Sequence, residues 1–589
     1  MVSRFLILTA FEKPWPSGKI PLVFLGEWCK LYNRKKEWED REVSVLPYHW
    51  DDRKKLYNDY IYLQKVYEEL LAELSYNLNV IHKVNHSDRY WRIVVGPWLG
   101  YFIQLLFDRW TMIEVALKSD NISTIDVFDF NESNFIPNDM MHFIQALLMD
   151  SWNEFIYTSI LDWMKAPLKK IDLRNNENIS SGNVYKFNFR CLLKRNLTQT
   201  VNYFNNLFCG DNEHFFISTY LSKKQDITLQ LKLNQIPKLW KSVSGPVVPV
   251  DIDSRKWTLE NLGSKSDFLN FVRTLIPKQI PVSYLEGYHE IVILTKKLPW
   301  PKNPKTIFTS QDNLTSDVFK IWAAEKCEKG SPLITSQHGG NYGTALWNFL
   351  EDHQIAISDH FLTWGWSKST NDKVIPIGNF KGFGKSYSPK KGGFALLVEA
   401  ALPRQSYFMF SAPVGVGQWC DYFNDQCRFI QALPIKLREE ITVRLYPEDF
   451  ECGQKDRWLD RFPLINIDQG QPIHSLLRKS RLFIGTYNAT SYLEAMSLNF
   501  PTIIFWNPKH WELRNSAIPF FTSLRLAGIF HNTPESAALK MSEIWNNVEG
   551  WWFSKEVQSA REEFCNYYAQ IPKKPLNIMK DLFNEITIK

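Results

Sequence analysis

Short apolar runs bounded by turn residues alternate along most of the chain with longer stretches of three- and four-residue periodicity, the pattern of parallel strands separated by helices. Residues 4–11, 21–25 (PLVFL) and 43–46 read as strands. From about 54 to 80, Leu56, Tyr60, Leu63, Val66, Tyr67, Leu70 and Leu71 recur at helical spacing, and similar patterns cover 89–118 and 137–164. Residues 166–250 are polar and Asn-rich, and their short apolar pieces, such as Phe215-Phe216-Ile217, do not define a fold. Strand character returns at Glu290–Leu294 and Thr306–Thr309, a helix spans 316–328, and the strand Pro332–Ser336 breaks into Gln337-His338-Gly339-Gly340-Asn341-Tyr342-Gly343. After a Lys/Gly/Ser-rich stretch at 380–393, new strands start at Phe394–Val398 and Ile441–Leu445. Residues 482–506 then form a complete βαβ unit, and aromatic helices run to the end.

This order predicts an α/β protein of two Rossmann-like domains facing a cleft. The order resembles that of GT-B glycosyltransferases, which implies that residues 1–380 form the acceptor side, with a large α-rich elaboration at about 54–250, and that 381–393 are the linker, with a hinge near 385. The same resemblance implies that residues 394–589 form the nucleotide-sugar side and its terminal helices. The walls of such a cleft are the carboxyl ends of strands, where open α/β sheets place ligands.

Composition narrows the class. With 589 residues, 44% hydrophobic and 22% charged, the chain can bury several cores and is not a disordered polymer. Aromatics at 15%, including 23 Trp, supply flat faces suited to sugars as well as to packing. A formal charge of +6 without a Lys/Arg block argues against a nucleic-acid partner. The 8 cysteines show neither CxxC nor regular spacing, so neither a zinc site nor a disulfide framework is indicated. No stretch approaches the roughly 20 apolar residues of a membrane span. A cytoplasmic protein is expected, without metal or organic cofactor.

Three constellations can carry chemistry. At Gly485-Thr486-Tyr487-Asn488-Ala489-Thr490-Ser491 a strand hands over to a helix, and free amides with the helix dipole make a seat for phosphate; an ordinary N-cap on Asn488 or Thr490 is the plainer alternative. The loop at His338, Gly339 and Gly340 exposes backbone amides beside an imidazole able to exchange a proton. Arg444, followed by Tyr446 and Pro447, closes a strand with a permanently charged fork suited to phosphate, unless it pairs with Glu448 or Asp449. The acid or base for an acceptor hydroxyl is sought on the first domain's strand ends, at Glu27, His49, Asp51 and Asp52, and at His338. A competing D-x-D pair, Asp251 and Asp253, could hold a divalent cation, but Pro249 interrupts its strand and Arg255 and Lys256 follow at once.

The segments TAFEKPWP (9–16), FLGEWC (24–29), PYHWDDRKKLYNDY (47–60), RYWRIVVGPWLG (89–100), SQHGGNYGT (336–344), ALPRQSY (401–407), RLYPED (444–449), FIGTYNATSYLE (483–494) and FWNPKHWEL (505–513) together resemble a family of transferases from bacterial O-antigen and surface-polysaccharide gene clusters. The resemblance spans nearly the whole chain. It implies a metal-independent glycosyltransferase of GT-B type using a nucleotide-sugar donor and a lipid-linked or lipopolysaccharide glycan acceptor, with peripheral contact at the inner face of the cytoplasmic membrane. It also implies that Glu494, in an E-A-x-x-x-x-x-P setting ending at Pro501, holds ribose hydroxyls, and that Thr486, Asn488, Thr490 and Ser491 contact phosphate or base. A weaker likeness to CMP-sialic acid and Kdo transferases implies a CMP donor; Arg444-Leu445-Tyr446-Pro447 stands where those enzymes carry His-Pro, which leaves UDP-, GDP- and dTDP-sugars open. A nucleotide-sugar epimerase or a non-catalytic glycan-assembly scaffold could use the same framework.

Overall fold

The computed structural model describes residues 4–588 except 12–14, 17–19, 120–121, 129, 174–209, 260–265, 369, 407–408 and 469, so most of the unassigned stretch before 210 lies outside the described residues. Sixteen strands among them form three sheets, and every strand pair is parallel. The first sheet holds β1 (Arg4–Ile7), β2 (Leu22–Phe24), β3 (Val43–Val45), β4 (Ile122–Phe128) and β5 (Lys169–Leu173) in the order β3-β2-β1-β4-β5. The second holds β6 (His214–Ile217), β7 (Thr306–Thr309), β8 (Leu333–Ser336), β9 (His360–Thr363) and β10 (Val374–Pro376) in simple succession. The third holds β11 (Phe394–Val398), β12 (Ile441–Arg444), β13 (Asn466–Ile467), β14 (Ser480–Gly485), β15 (Thr502–Phe505) and β16 (Phe530–His531) in the order β13-β12-β11-β14-β15-β16. The α/β class with parallel sheets is therefore as expected, and the third sheet is doubly wound, reversing direction between β11 and β14.

Residues 4–380 carry two parallel sheets where the sequence suggested one sheet with a helical insertion. Two helices of 30 residues each, α1 (Arg53–His82) and α2 (Asp88–Leu117), lie between the first sheet's strands β3 and β4 in the chain. Helix α2 is apolar almost all round, the mark of a helix buried on every side. Its Gly100 lets it close on Phe349: a Cβ there would sit 1.8 Å from that ring. Glu290–Leu294, expected as a strand, lies inside the helix Tyr288–Lys297. Only one side of that apolar run is covered, with Ile291 buried and Ile293 half exposed, which is a helical rather than a two-sided strand environment.

Each sheet with the helices around it is one unit, numbered first to third as the sheets are. The third carries α3 (Thr490–Ser497), and the last helix, α4 (Pro575–Ile588), packs on the second sheet. Met579, Phe583 and Ile586 recur at helical spacing and are buried, with the Phe583 ring 5.2 Å from Phe216 and 5.6 Å from Phe308. The chain thus crosses between the second and third units twice, and the two crossings touch: Asn379 N donates to Gln570 O at 2.7 Å, and Gln570 N to Trp364 O at 2.8 Å.

The first unit docks on the third through a buried arginine. Arg404 donates to the carbonyl of Trp28 (2.6 Å), to Asp150 (2.6 Å) and to Glu451 (2.6 Å), with 5% of its residue surface exposed. Removing one member of a buried ion pair strands the other charge. Arg404→Met is therefore expected to lower stability by about 3–5 kcal/mol, read as a reduced urea midpoint. No helix among the described residues is long and apolar enough to cross a membrane.

Candidate active site

At the third sheet's reversal point the strand ends β11 and β14 separate, and the residues after Gly485 fill the gap. Thr486, fully buried, donates its hydroxyl to the carbonyl of Val398 (2.7 Å) and bonds to the Tyr422 hydroxyl. Asn488, also buried, accepts from Tyr492 (3.0 Å) and donates to Thr344 (3.2 Å). These two side chains are consumed in fixing the turn and are not free to contact a donor. Ser491 donates to the Tyr487 hydroxyl at 3.2 Å, while Thr490 begins α3 partly exposed. The N-cap of α3 is Ala489, with φ −150° and no side-chain acceptor, rather than Asn488 or Thr490. The first amides of the helix therefore lack the side-chain oxygen that usually satisfies them.

Arg444 ends β12, two strands from β14 in the sheet order. Its buried Nε has no hydrogen-bond partner, and it forms no ion pair among the described residues. Asp449, the nearby carboxylate that could have taken it, instead accepts the amides of Gly453 (2.9 Å) and Gln454 (2.8 Å). The guanidinium bears electrostatically on Tyr487, in the turn before α3. Tyr446 and Pro447 are exposed, Tyr446 stacking on Phe450 at 6.1 Å. Arg444 thus has an unpartnered donor, and the start of α3 has no side-chain cap.

Glu399, just after β11, is fully buried; one carboxyl oxygen accepts from the Trp458 indole at 2.7 Å and the other has no partner. Burial pushes its pKa up to about 8, with the Asp449 charge adding to the effect. A carboxyl raised in the folded state contributes stability fully below its unfolded value and loses it as pH rises through about 8. Glu399→Gln is therefore expected to match the wild type near pH 4.5 and to gain on it progressively, by about 5 kcal/mol at pH 8.5, in melts taken across that range.

The loop after β8 faces this turn across the cleft. Gln337 fixes it, donating to Gly339 O (2.7 Å) and accepting from Trp364 N (3.1 Å) and the Trp366 indole (2.8 Å). Gly340 touches the other wall: a Cβ on it would fall 2.1–2.4 Å from the backbone of Ala489 and Thr490. Gly339 meets nothing within 4 Å. His338 lies beside Tyr342 (Nδ1 to hydroxyl, 3.3 Å), and burial pushes its pKa down to about 4, so it is a neutral imidazole at neutral pH. Glu494, one turn into α3, acts on Lys381, Tyr387 and Tyr487. Lys381 escaped the sequence reading because it sits in a Lys/Gly/Ser-rich stretch that reads as linker. Its ammonium donates to the carbonyl of His338 at 3.1 Å.

The four residues sought on the first sheet are not in this cleft. His49 is buried against Asp108 (3.0 Å), and desolvation holds its pKa below the usual histidine value. Asp51 accepts from Gln418 at 3.1 Å, Asp52 caps α1 by accepting the amides of Lys54 and Lys55 (both 3.0 Å), and Glu27 pairs with Lys30 at 3.2 Å. The reason is packing. Residues around Arg404 and Gln418 of the third unit fill the carboxyl edge of the first sheet, so its strand ends form an interface instead of a crevice. Asp251 turns back on the amide of Asp253 (3.0 Å), and Asp253 pairs with Lys256 (2.6 Å). No group of three His, Cys, Asp or Glu suited to a metal occurs among the described residues.

The sequence model of the LIC12162 family transferases matches residues 4–583. The chain belongs to the LIC12162 transferase family. No curated protein matches it. Among solved structures, this LIC12162-family chain is similar at 12% identity to the spinosyn rhamnosyltransferase SpnG, over 51% of this chain and 77% of that one, with a TM-score of 0.31. It is similar at 12% identity to TarM, over 51% and 57% of the two chains at a TM-score of 0.30. A UDP-GlcNAc 2-epimerase from Neisseria meningitidis, bound to UDP-GlcNAc, aligns at 12% identity over 64% of this chain and 99% of its own, with a TM-score of 0.33.

Proposed function

We propose that this LIC12162-family transferase moves a sugar from a nucleotide-activated donor to a glycan acceptor of surface-polysaccharide or O-antigen assembly, at the cytoplasmic face of the membrane. The observation that carries the reading is Arg444, a cation without a carboxylate partner at the end of β12, whose charge reaches Tyr487 in the turn before the uncapped α3. The donor's phosphate oxygens would accept from those amides and from the guanidinium, which together neutralise the leaving group without a divalent ion. Glu494, one turn further on, would accept from ribose hydroxyls. His338 would take the proton of the acceptor hydroxyl as its oxygen bonds to the anomeric carbon, with a basicity that burial lowers in the free protein. The bond from that carbon to the phosphate oxygen breaks, and its electron pair leaves with the nucleotide. In this reading the second and third units form the acceptor and donor walls, and the first unit supports both.

The test is a screen of CMP-, UDP-, GDP- and dTDP-sugars with the purified protein, following donor turnover by mass spectrometry with and without EDTA. Slow release of free nucleotide from one donor class, unaffected by EDTA, is the expected result. Rearrangement of the sugar with the nucleotide still attached would replace transfer by epimerisation. No turnover and no binding of any donor would leave a scaffold.

A further inference from the structure

We infer that the carboxyl edge of the second sheet binds a saccharide that carries a negative charge, a carboxylate or a phosphate on the sugar, held by Lys381 beside the ring of Tyr220. The inference rests on the transferase reading for its role, as the acceptor's terminal sugar, but on separate residues for its chemistry. The Lys381 ammonium lies 4.4 Å from the centre of the Tyr220 ring and 5.8 Å from that of Trp364. Among the described residues its one hydrogen bond goes to the His338 carbonyl at 3.1 Å, and it forms no ion pair. Glu494 favours its charge from across the cleft without reaching ion-pair distance.

The ammonium has three donors and one carbonyl partner, so two donors are left without a protein acceptor among the described residues. Removal of water holds its pKa below the usual lysine value, against the opposing pull of Glu494. The backbone around it is unusual as well. Ser218 and Tyr220, following β6, both take left-handed conformations, with φ of +48° and +62°. Such positions cost energy for residues other than glycine and persist where the surroundings hold them. Here the Tyr220 hydroxyl donates to Gln311 at 2.9 Å, anchoring the half-buried ring over the ammonium. A cation with free donors beside an aromatic ring fits a sugar bearing an anionic substituent.

The experiment is ligand-observed NMR titration of glucuronic acid, glucose 6-phosphate and glucose into the full-length protein, as wild type, Lys381→Met and Lys381→Arg. At least a tenfold preference for one acidic sugar over glucose is expected, the two acidic probes deciding between carboxylate and phosphate. Lys381→Met should abolish the preference and Lys381→Arg should keep part of it, with melting curves confirming that both variants fold. Equal binding of glucose, binding of no probe, or an unchanged preference in Lys381→Met would overturn the inference. Arg444→Met separates the two readings: acidic-sugar binding should survive it, and if no nucleotide binds while the acidic sugar does, the donor assignment falls and the saccharide site stands.

Discussion

Arg444→Met is expected to lower sugar transfer by about 10²- to 10³-fold, the usual cost of removing one preorganised donor to a developing negative charge. The same change should leave the melting temperature unaltered or slightly raised. In the free protein the Nε of Arg444 is buried without a hydrogen-bond partner, so methionine gives up no native bond and relieves a desolvated polar atom. Activity lost while stability is kept is the signature of a residue held for its ligand. Arg444→Lys keeps the charge but not the planar fork and should fall between the two. A variant that melts well below the wild type would mean that Arg444 braces the sheet instead.

Gly340→Ala should be the most damaging single methyl group in the cleft. The new Cβ would lie 2.1–2.4 Å from backbone atoms of Ala489 and Thr490, which cannot rotate away as a side chain could. The two walls must then part by about an ångström, a displacement that costs on the order of 10²-fold in rate when it separates reacting groups. Overpacking of this kind also lowers stability by about 1–3 kcal/mol. Gly339→Ala is the matched control, because its Cβ would meet nothing within 4 Å. It should transfer sugar within a factor of about three of the wild type, since it adds no clash. Equal effects at 339 and 340, measured as kcat and as denaturation midpoints, would remove the wall contact from the account.

The hydrophobic pattern was enough to place most strands, because parallel strands buried on both faces read as continuous apolar runs, as at Phe394–Val398 and Leu482–Ile484. It misread Glu290–Leu294, where β-branched residues sit in a helix whose burial comes from one side only. The number of sheets in residues 4–380 was not legible, since local pattern does not say which strands pair. Nor was the return of α4 to the second sheet, a contact made across the whole length of the third unit. At the candidate site, Arg444 ends β12, His338 and Gly340 follow β8, and Glu494 lies in the helix after β14, with Gly340 packed against the start of that helix. Thr486 and Asn488 stand there too, yet their polar groups are spent on Val398, Tyr422, Tyr492 and Thr344, a distinction that only tertiary packing draws. Glu27, His49, Asp51 and Asp52 follow strands of the first sheet, but their side chains are engaged locally, by Lys30, Asp108, Gln418 and the first amides of α1. Lys381 was hidden by its linker-like neighbours.

The most direct test of the donor seat is isothermal titration of CMP, UDP, GDP and dTDP into the wild type and Arg444→Met, each with and without EDTA. The account predicts that at least one of these nucleotides binds the wild type, that EDTA does not change its affinity, and that Arg444→Met weakens it at least tenfold. Equal affinity in the two proteins, or binding that EDTA abolishes, would contradict it.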